Sequence, residues 1–149
     1  MTAHTKRGVT LLEMLVVLAV LGILLAIGAL NLSRAAEQRR LDEAARTVGE
    51  TLRRVGDDAS KKSQRITLSL SADNTTLSWE DEEDVVRSQS LPEGATVTIG
   101  QLGLEGGSGS TDIVFLGRGF PVQGRTFTVT RNGENRVVNL LATGTVVYR

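Results

Sequence analysis

The chain has no cysteine, so disulfides, cysteine zinc centres and thiol nucleophiles are excluded. It has a single histidine, His4, from which neither a histidine-based triad nor a multi-histidine metal site can be built. Aromatic residues make up 3%, too few for a platform on which single strands or sugars would stack. Prolines number two, and neither charge is in excess: 17 Lys and Arg offset 17 Asp and Glu. That balance excludes a protein basic throughout that coats nucleic acid, and a charged disordered tail. At 149 residues the chain suffices for one small domain.

What is present is unevenly spread. Residues 14–33 are 20 residues without a charge, closed by Arg34. As a helix this run spans about 30 Å, the thickness of a bilayer core, and it is apolar on every face. Lys6 and Arg7 precede it and favour a cytoplasmic N-terminus with the rest outside. Arg34, Arg39 and Arg40 follow it, accompanied by Glu37, Asp42 and Glu43. The run exceeds the roughly 7–15 apolar residues of a secretory signal, and Ser33-Arg34-Ala35-Ala36 is a poor cleavage site. Glu13 lies inside the apolar stretch that begins at Val9. A carboxylate there is costly unless it reaches the headgroups or has a dedicated cationic partner. Gly22 and Ala26 form a small-xxx-small pair that would let helices approach closely.

The order Lys6-Arg7-Gly8-Val9-Thr10-Leu11-Leu12-Glu13, followed by an apolar helix, resembles the class III signal of type IV pilins and type II secretion pseudopilins. The resemblance implies that a prepilin peptidase cuts after Gly8, that Val9 is then N-methylated, and that the apolar segment stays on the mature protein. It further implies that Glu13 pairs with the Val9 ammonium of a neighbour and sets register in a helical filament. The partners so implied are other pilins or pseudopilins, the peptidase and an inner-membrane assembly platform. Glycine at the scissile bond lets the backbone enter a tight protease site. An ion pair removed from water fixes register more reliably than it adds affinity. The family usually has Phe in place of Val9, and many members have a kinking Pro in place of Leu30, so a straighter helix is expected.

Beyond Arg34 the pattern turns amphipathic. Leu41, Ala45, Val48, Leu52 and Val55 recur at spacings of three and four, with charges on the other faces. One helix is expected from about Thr10 to about Asp57, slightly weakened by Gly49 and Gly56. Its stripe packs on a globular domain or, alternatively, forms a coiled coil. A polar connection (58–65) leads to eight short Val-, Ile- and Thr-rich segments: 65–71, 76–80, 85–91, 96–100, 112–116, 125–131, 136–141 and 145–148. Turn signals separate them at Asp73-Asn74, Pro92-Glu93-Gly94 and Asn132-Gly133, the last within a loop lengthened by Glu134 and Asn135. The expected class is therefore α+β: a long N-terminal helix followed by an antiparallel β-rich domain. Its parts are a leader (1–8), a membrane and filament-core helix (9–33), an amphipathic continuation (34–57) and a periplasmic domain (58–149). Residues 111–149, with Ile113-Val114-Phe115, Gly117, Gly119 and Val137-Val138-Asn139-Leu140, resemble the GspH/FimT type of minor pilin. That type commonly has Gly-Arg near its end, where this chain has Gly144-Thr145.

Other features favour plain readings. Residues 103–111 hold four glycines without phosphate-loop spacing and read as a surface loop. The acidic run 80–84 lacks the glycine and ligand alternation of a calcium loop. No metal, cofactor or catalytic site is expected, although a Ser-Lys arrangement using Lys61 or Lys62 stays open. Residues 117–149 carry Arg118, Arg125, Arg131, Arg136 and Arg149 against the lone acid Glu134. Those arginines either compensate the acidic residues of 80–112 or form a basic face for DNA phosphates. The FimT side of the resemblance keeps the second reading, because some FimT-type minor pilins bind DNA during uptake. The function expected is that of a minor pseudopilin or minor pilin in the inner membrane, with a membrane-tethered enzyme or binding domain as the reading from another class.

Overall fold

The computed structural model describes residues 11–80, 85–102 and 112–149, with the backbone alone for 27–31. Gly8, Val9, the acids 81–84 and the glycine-rich stretch 103–111 lie outside the described residues, as does the side chain of Leu30. Two compact units are present, Met1–Gln38 and Arg39–Arg149.

A single helix, α1 (Leu11–Lys62), supplies the described part of the first unit and begins the second. No proline falls within it, and its residues are mainly strong helix formers. In the first unit every described side chain from Leu11 to Ala26 is exposed. In the second, Leu41, Ala44, Ala45, Val48, Leu52, Val55 and Ala59 are all 5% exposed or less. Spacings of three and four place them on one face.

The helix ends five residues beyond the expected Asp57. Ala59, fully buried, continues the stripe one turn past Val55 and outweighs the polar residues around it. Ser63 then takes a left-handed conformation (φ 52°). The Ser63 amide donates to the Ser60 carbonyl, and the Gln64 amide to that of Ala59, each at 3.2 Å. This double closure satisfies carbonyls that the helix end would otherwise leave open.

The remaining chain forms two four-stranded antiparallel sheets. In the first the order is β3-β2-β1-β5, with β1 (Ile66–Leu70), β2 (Thr76–Glu80), β3 (Val86–Ser90) and β5 (Ile113–Phe115). The second has the order β4-β6-β7-β8, with β4 (Thr96–Gln101), β6 (Arg125–Arg131), β7 (Glu134–Leu140) and β8 (Val146–Tyr148). Alternation decides which side is buried. Ile66 and Leu68 oppose Phe115 and Ile113; Val97 and Ile99 oppose Val129 and Phe127. All join the helical stripe in one continuous core. The opposite faces carry Thr67, Ser69, Ser78, Thr96, Thr98 and Thr128. The coiled-coil alternative is thereby set aside for residues 41–59, whose stripe is already covered by the strands of its own chain.

Between β6 and β7 the turn is tighter than the sequence suggests. Arg131 pairs directly with Glu134, leaving Asn132 (φ 49°) and Gly133 (φ 81°) as a two-residue loop. Two positive φ values match the right-handed twist of the flanking strands, so Glu134 and Asn135 enter β7 rather than lengthening the loop. Gly56 and Gly119 also have a role beyond weakening or loosening the chain. A methyl on Gly56 would come within 2.9 Å of the Gly119 carbonyl oxygen, and one on Gly119 within 2.7 Å of that of Gly56. Paired glycines let the turn after β5 lie against the helix backbone.

Candidate assembly surface

The described part of the first unit is an apolar helix whose side chains from Leu11 to Ala26 are exposed. Leu11 is 83% exposed, Leu25 66% and Leu32 72%, and Val16, Val17, Leu18, Leu21, Ile23 and Leu24 are comparably open. Apolar surface this continuous marks contact with lipid or other protein chains. Within the uncharged run, side chains are described for 14–26 and for Leu32 and Ser33, and among the described residues no helix is long and apolar enough to cross a membrane. Glu13 sits in the first turn of α1 and is exposed. An acid there complements the positive end of the helix dipole. A Cβ built on Gly22 meets nothing within 4 Å, so no contact of the described residues requires glycine at that position.

The five arginines of 117–149 are not gathered on one outer face. Arg125 and Arg131 occupy the same side of β6 as the buried Phe127 and Val129, and Arg136 lies across from Val129 on β7. The alternation that buries the core thus turns these three toward the helix side, at the margins of the core. Arg125 is 6% exposed. Arg131 is half-buried, with its guanidinium 3.2 Å from where a Cβ on Gly94 would stand. Arg136 donates from Nε to Asp42 Oδ1 of the helix at 2.8 Å and from a terminal nitrogen to the Asn135 carbonyl at 3.2 Å. Of the five, only Arg118 and Arg149 are exposed. The outer face of β6 and β7 is instead uncharged, with Thr126 bonded to Asn139 and Thr130 to Asn135, each at 2.9 Å.

Sequence reading missed the acids that receive these cations. Asp42 holds Arg136, and Asp58 takes Arg87 of β3 at 2.7 Å. Both flank the helical stripe, and both arginines share strand parity with core residues, a signal available in the sequence. A further cation, Arg53, stands 6.0 Å from the centre of the Tyr148 ring, while the Tyr148 hydroxyl rests where a Gly49 side chain would be. Among the described residues no cluster of three or more His, Asp or Glu could hold a metal ion.

Comparison with known proteins gives two family matches. The prokaryotic N-terminal methylation motif covers residues 4–29, and the Type II transport protein GspH family covers residues 44–144. No curated protein sequence matches. Among solved structures, the type IV minor pilin FimU of Pseudomonas aeruginosa is similar with a TM-score of 0.61 at 19% identity, over 76% of this chain and 90% of that one. The minor pseudopilin EpsH of the Vibrio cholerae type II secretion system is similar with a TM-score of 0.54 at 15% identity, over 72% and 93%. Both share the fold of a long helix followed by antiparallel sheets. With 44–144 matched in the β-rich unit and the methylation motif ahead of it, the chain belongs to the GspH family of type IV pilin-like minor pseudopilins.

Proposed function

We propose that the chain is a minor subunit of a type IV pilin-like filament, made as a precursor and cut after Gly8 by a prepilin peptidase. Val9 becomes the methylated N-terminus, residues 9–33 are held in the inner membrane before they enter the filament core, and the amphipathic continuation over 34–57 carries the β-rich unit. The β-rich unit stands on the periplasmic side. The role is structural rather than enzymatic, in keeping with the family. The observation that carries this reading is the described half of α1 from Leu11 to Ala26, whose apolar side chains are all exposed, joined to a motif matched over 4–29. Such a surface needs lipid before assembly and neighbouring helices after it. Glu13, five residues from Leu18 in the same helix, would meet the Val9 ammonium of the adjoining subunit once both leave water.

Mass spectrometry of the chain from its native membrane tests this. A start at Val9 with one added methyl is expected; an intact N-terminus, or a start after Ala35, overturns it. Glu13→Ala should leave cleavage intact and abolish recovery of the chain in sheared filaments. The DNA-binding reading has less support, because Arg125 is buried and Arg136 is bonded to Asp42.

A further inference from the structure

Arg125 is a guanidinium that the fold has buried without an evident reason. It opens β6, facing inward opposite Leu140 on one side and Gln101 on the other. Its residue surface is 6% exposed, and its Nε has no hydrogen-bond partner among the described residues. Burying an ionised group with an unmet donor costs several kcal/mol, so such groups are normally paired. Apolar neighbours alone would select leucine or methionine here.

The side chain lies on a cavity of about 230 Å³. Arg65 and Asp112 stand at its rim, both exposed, with Gln123 beside them. The walls are Ile113, Val114 and Val122. Among the described lining residues, two arginines against one aspartate leave one positive charge, matched to a single negative charge rather than to a dianion. The planar guanidinium fork fits a carboxylate in two-point fashion, and the valine walls suit a short aliphatic stem. A carboxylate on such a stem would supply the missing acceptor and neutralise the buried cation together.

We propose that this cavity binds a monocarboxylate on a short aliphatic chain, with Arg125 at its floor and Arg65 at its rim. Two sources share that chemistry: a glutamate side chain of another protein, and a free short-chain acid. Every described lining residue belongs to the second unit, so the proposal does not depend on the filament reading.

Thermal unfolding of the full chain in detergent micelles tests the proposal, followed by near-ultraviolet circular dichroism. Sodium butyrate, an acetyl-Gly-Glu-Gly amide peptide and inorganic phosphate are each compared with chloride at equal ionic strength. Ten times the dissociation constant of a bound ligand should raise the midpoint on the order of 4 °C. A rise with butyrate or with the peptide supports the site; the peptide alone identifies a protein side chain, and butyrate alone a free acid. No rise with either, or a larger rise with phosphate, overturns it. Arg125→Met should abolish the rise while leaving the midpoint in chloride no lower, since it removes a buried charge without breaking a pair. A rise that survives in Arg125→Met overturns the assignment. Should that variant fail to fold, the unaltered chain serves: the Arg125 Nε–H nuclear magnetic resonance signal, assigned as the one lost in Arg125→Lys, must shift as butyrate is added. An unmoved signal overturns the proposal.

Discussion

Residues 11–26 and residues 41–59 belong to the same helix, yet they solve opposite problems. In the first stretch apolar residues occupy every face and none is covered. In the second they are confined to one stripe and all are covered. Hydrophobicity alone does not decide burial within a chain; angular distribution does. A stripe can be satisfied by one's own strands, whereas a helix apolar all round needs an environment that surrounds it. The folded unit and the assembly surface can therefore be told apart by periodicity before any contact is known.

The sharpest way to test that contrast is to make the same truncation in both stretches. Leu52→Ala removes a side chain 1% exposed in the centre of the core and should cost about 2–5 kcal/mol in denaturant unfolding. Leu18→Ala, at 63% exposure, should change unfolding by no more than about 0.5 kcal/mol and act on filament yield instead. Equal losses at the two sites would show that the first stretch is packed against its own chain.

Gly119→Ala probes how closely the sheets hold the covered half. A left-handed φ of 81° and a carbonyl oxygen at 2.7 Å both oppose a side chain there. The expected loss is about 1–3 kcal/mol, read by the same unfolding measurement. Gly22→Ala, with open space around its Cβ, should be neutral or slightly stabilising to the isolated chain. If Gly22 serves close helix packing, that variant lowers filament yield alone.

The ion pairs flanking the stripe rank lower. A double-mutant cycle on Asp42 and Arg136, which stay 53% and 38% exposed, should return about 0–1 kcal/mol and shrink in high salt. A coupling near 3 kcal/mol would mean that the pair, not the apolar stripe, anchors β7 to the helix.

Much of this was legible beforehand. Segments 76–80 and 125–131 coincide with β2 and β6, because polar and apolar residues alternate there, as Thr-Leu-Ser-Trp-Glu in the first and Thr-Phe-Thr-Val-Thr within the second. The helical stripe was visible through Leu41 to Val55, and its last member was missed because Ala59 stands among polar residues. Parity says more than charge: Arg125 and Arg131 share odd numbering with Phe127 and Val129, so the alternation already places them on the buried side. The Gly56–Gly119 contact joins residues far apart in sequence, and no local pattern announces such a meeting. Nor could spacing reveal the cavity under Arg65, which needs the start of β6 to lie beside the residue that precedes β1 and the first residues of β5.

Acid supplies the mildest test, at the turn between β1 and β2. Asp73 accepts hydrogen bonds from the hydroxyls of Ser71 and Thr75 and from the Thr75 amide, and these hold its carboxyl below the ordinary value of 3.8. The lowered group stabilises the fold fully above that ordinary value. As pH falls below it, the unfolded chain takes up the proton first, and the contribution fades until the folded carboxyl is protonated too. The group is fully exposed, so the effect is small and confined to the acid range. Asp73→Asn should lower the unfolding midpoint slightly at pH 7 and leave it unchanged well below pH 4, so that the decline with acid is flatter. The asparagine keeps the acceptor oxygen for the β1–β2 turn and loses only the charge, so an equal loss at both pH values would assign the contribution of Asp73 to turn geometry rather than to its ionisation.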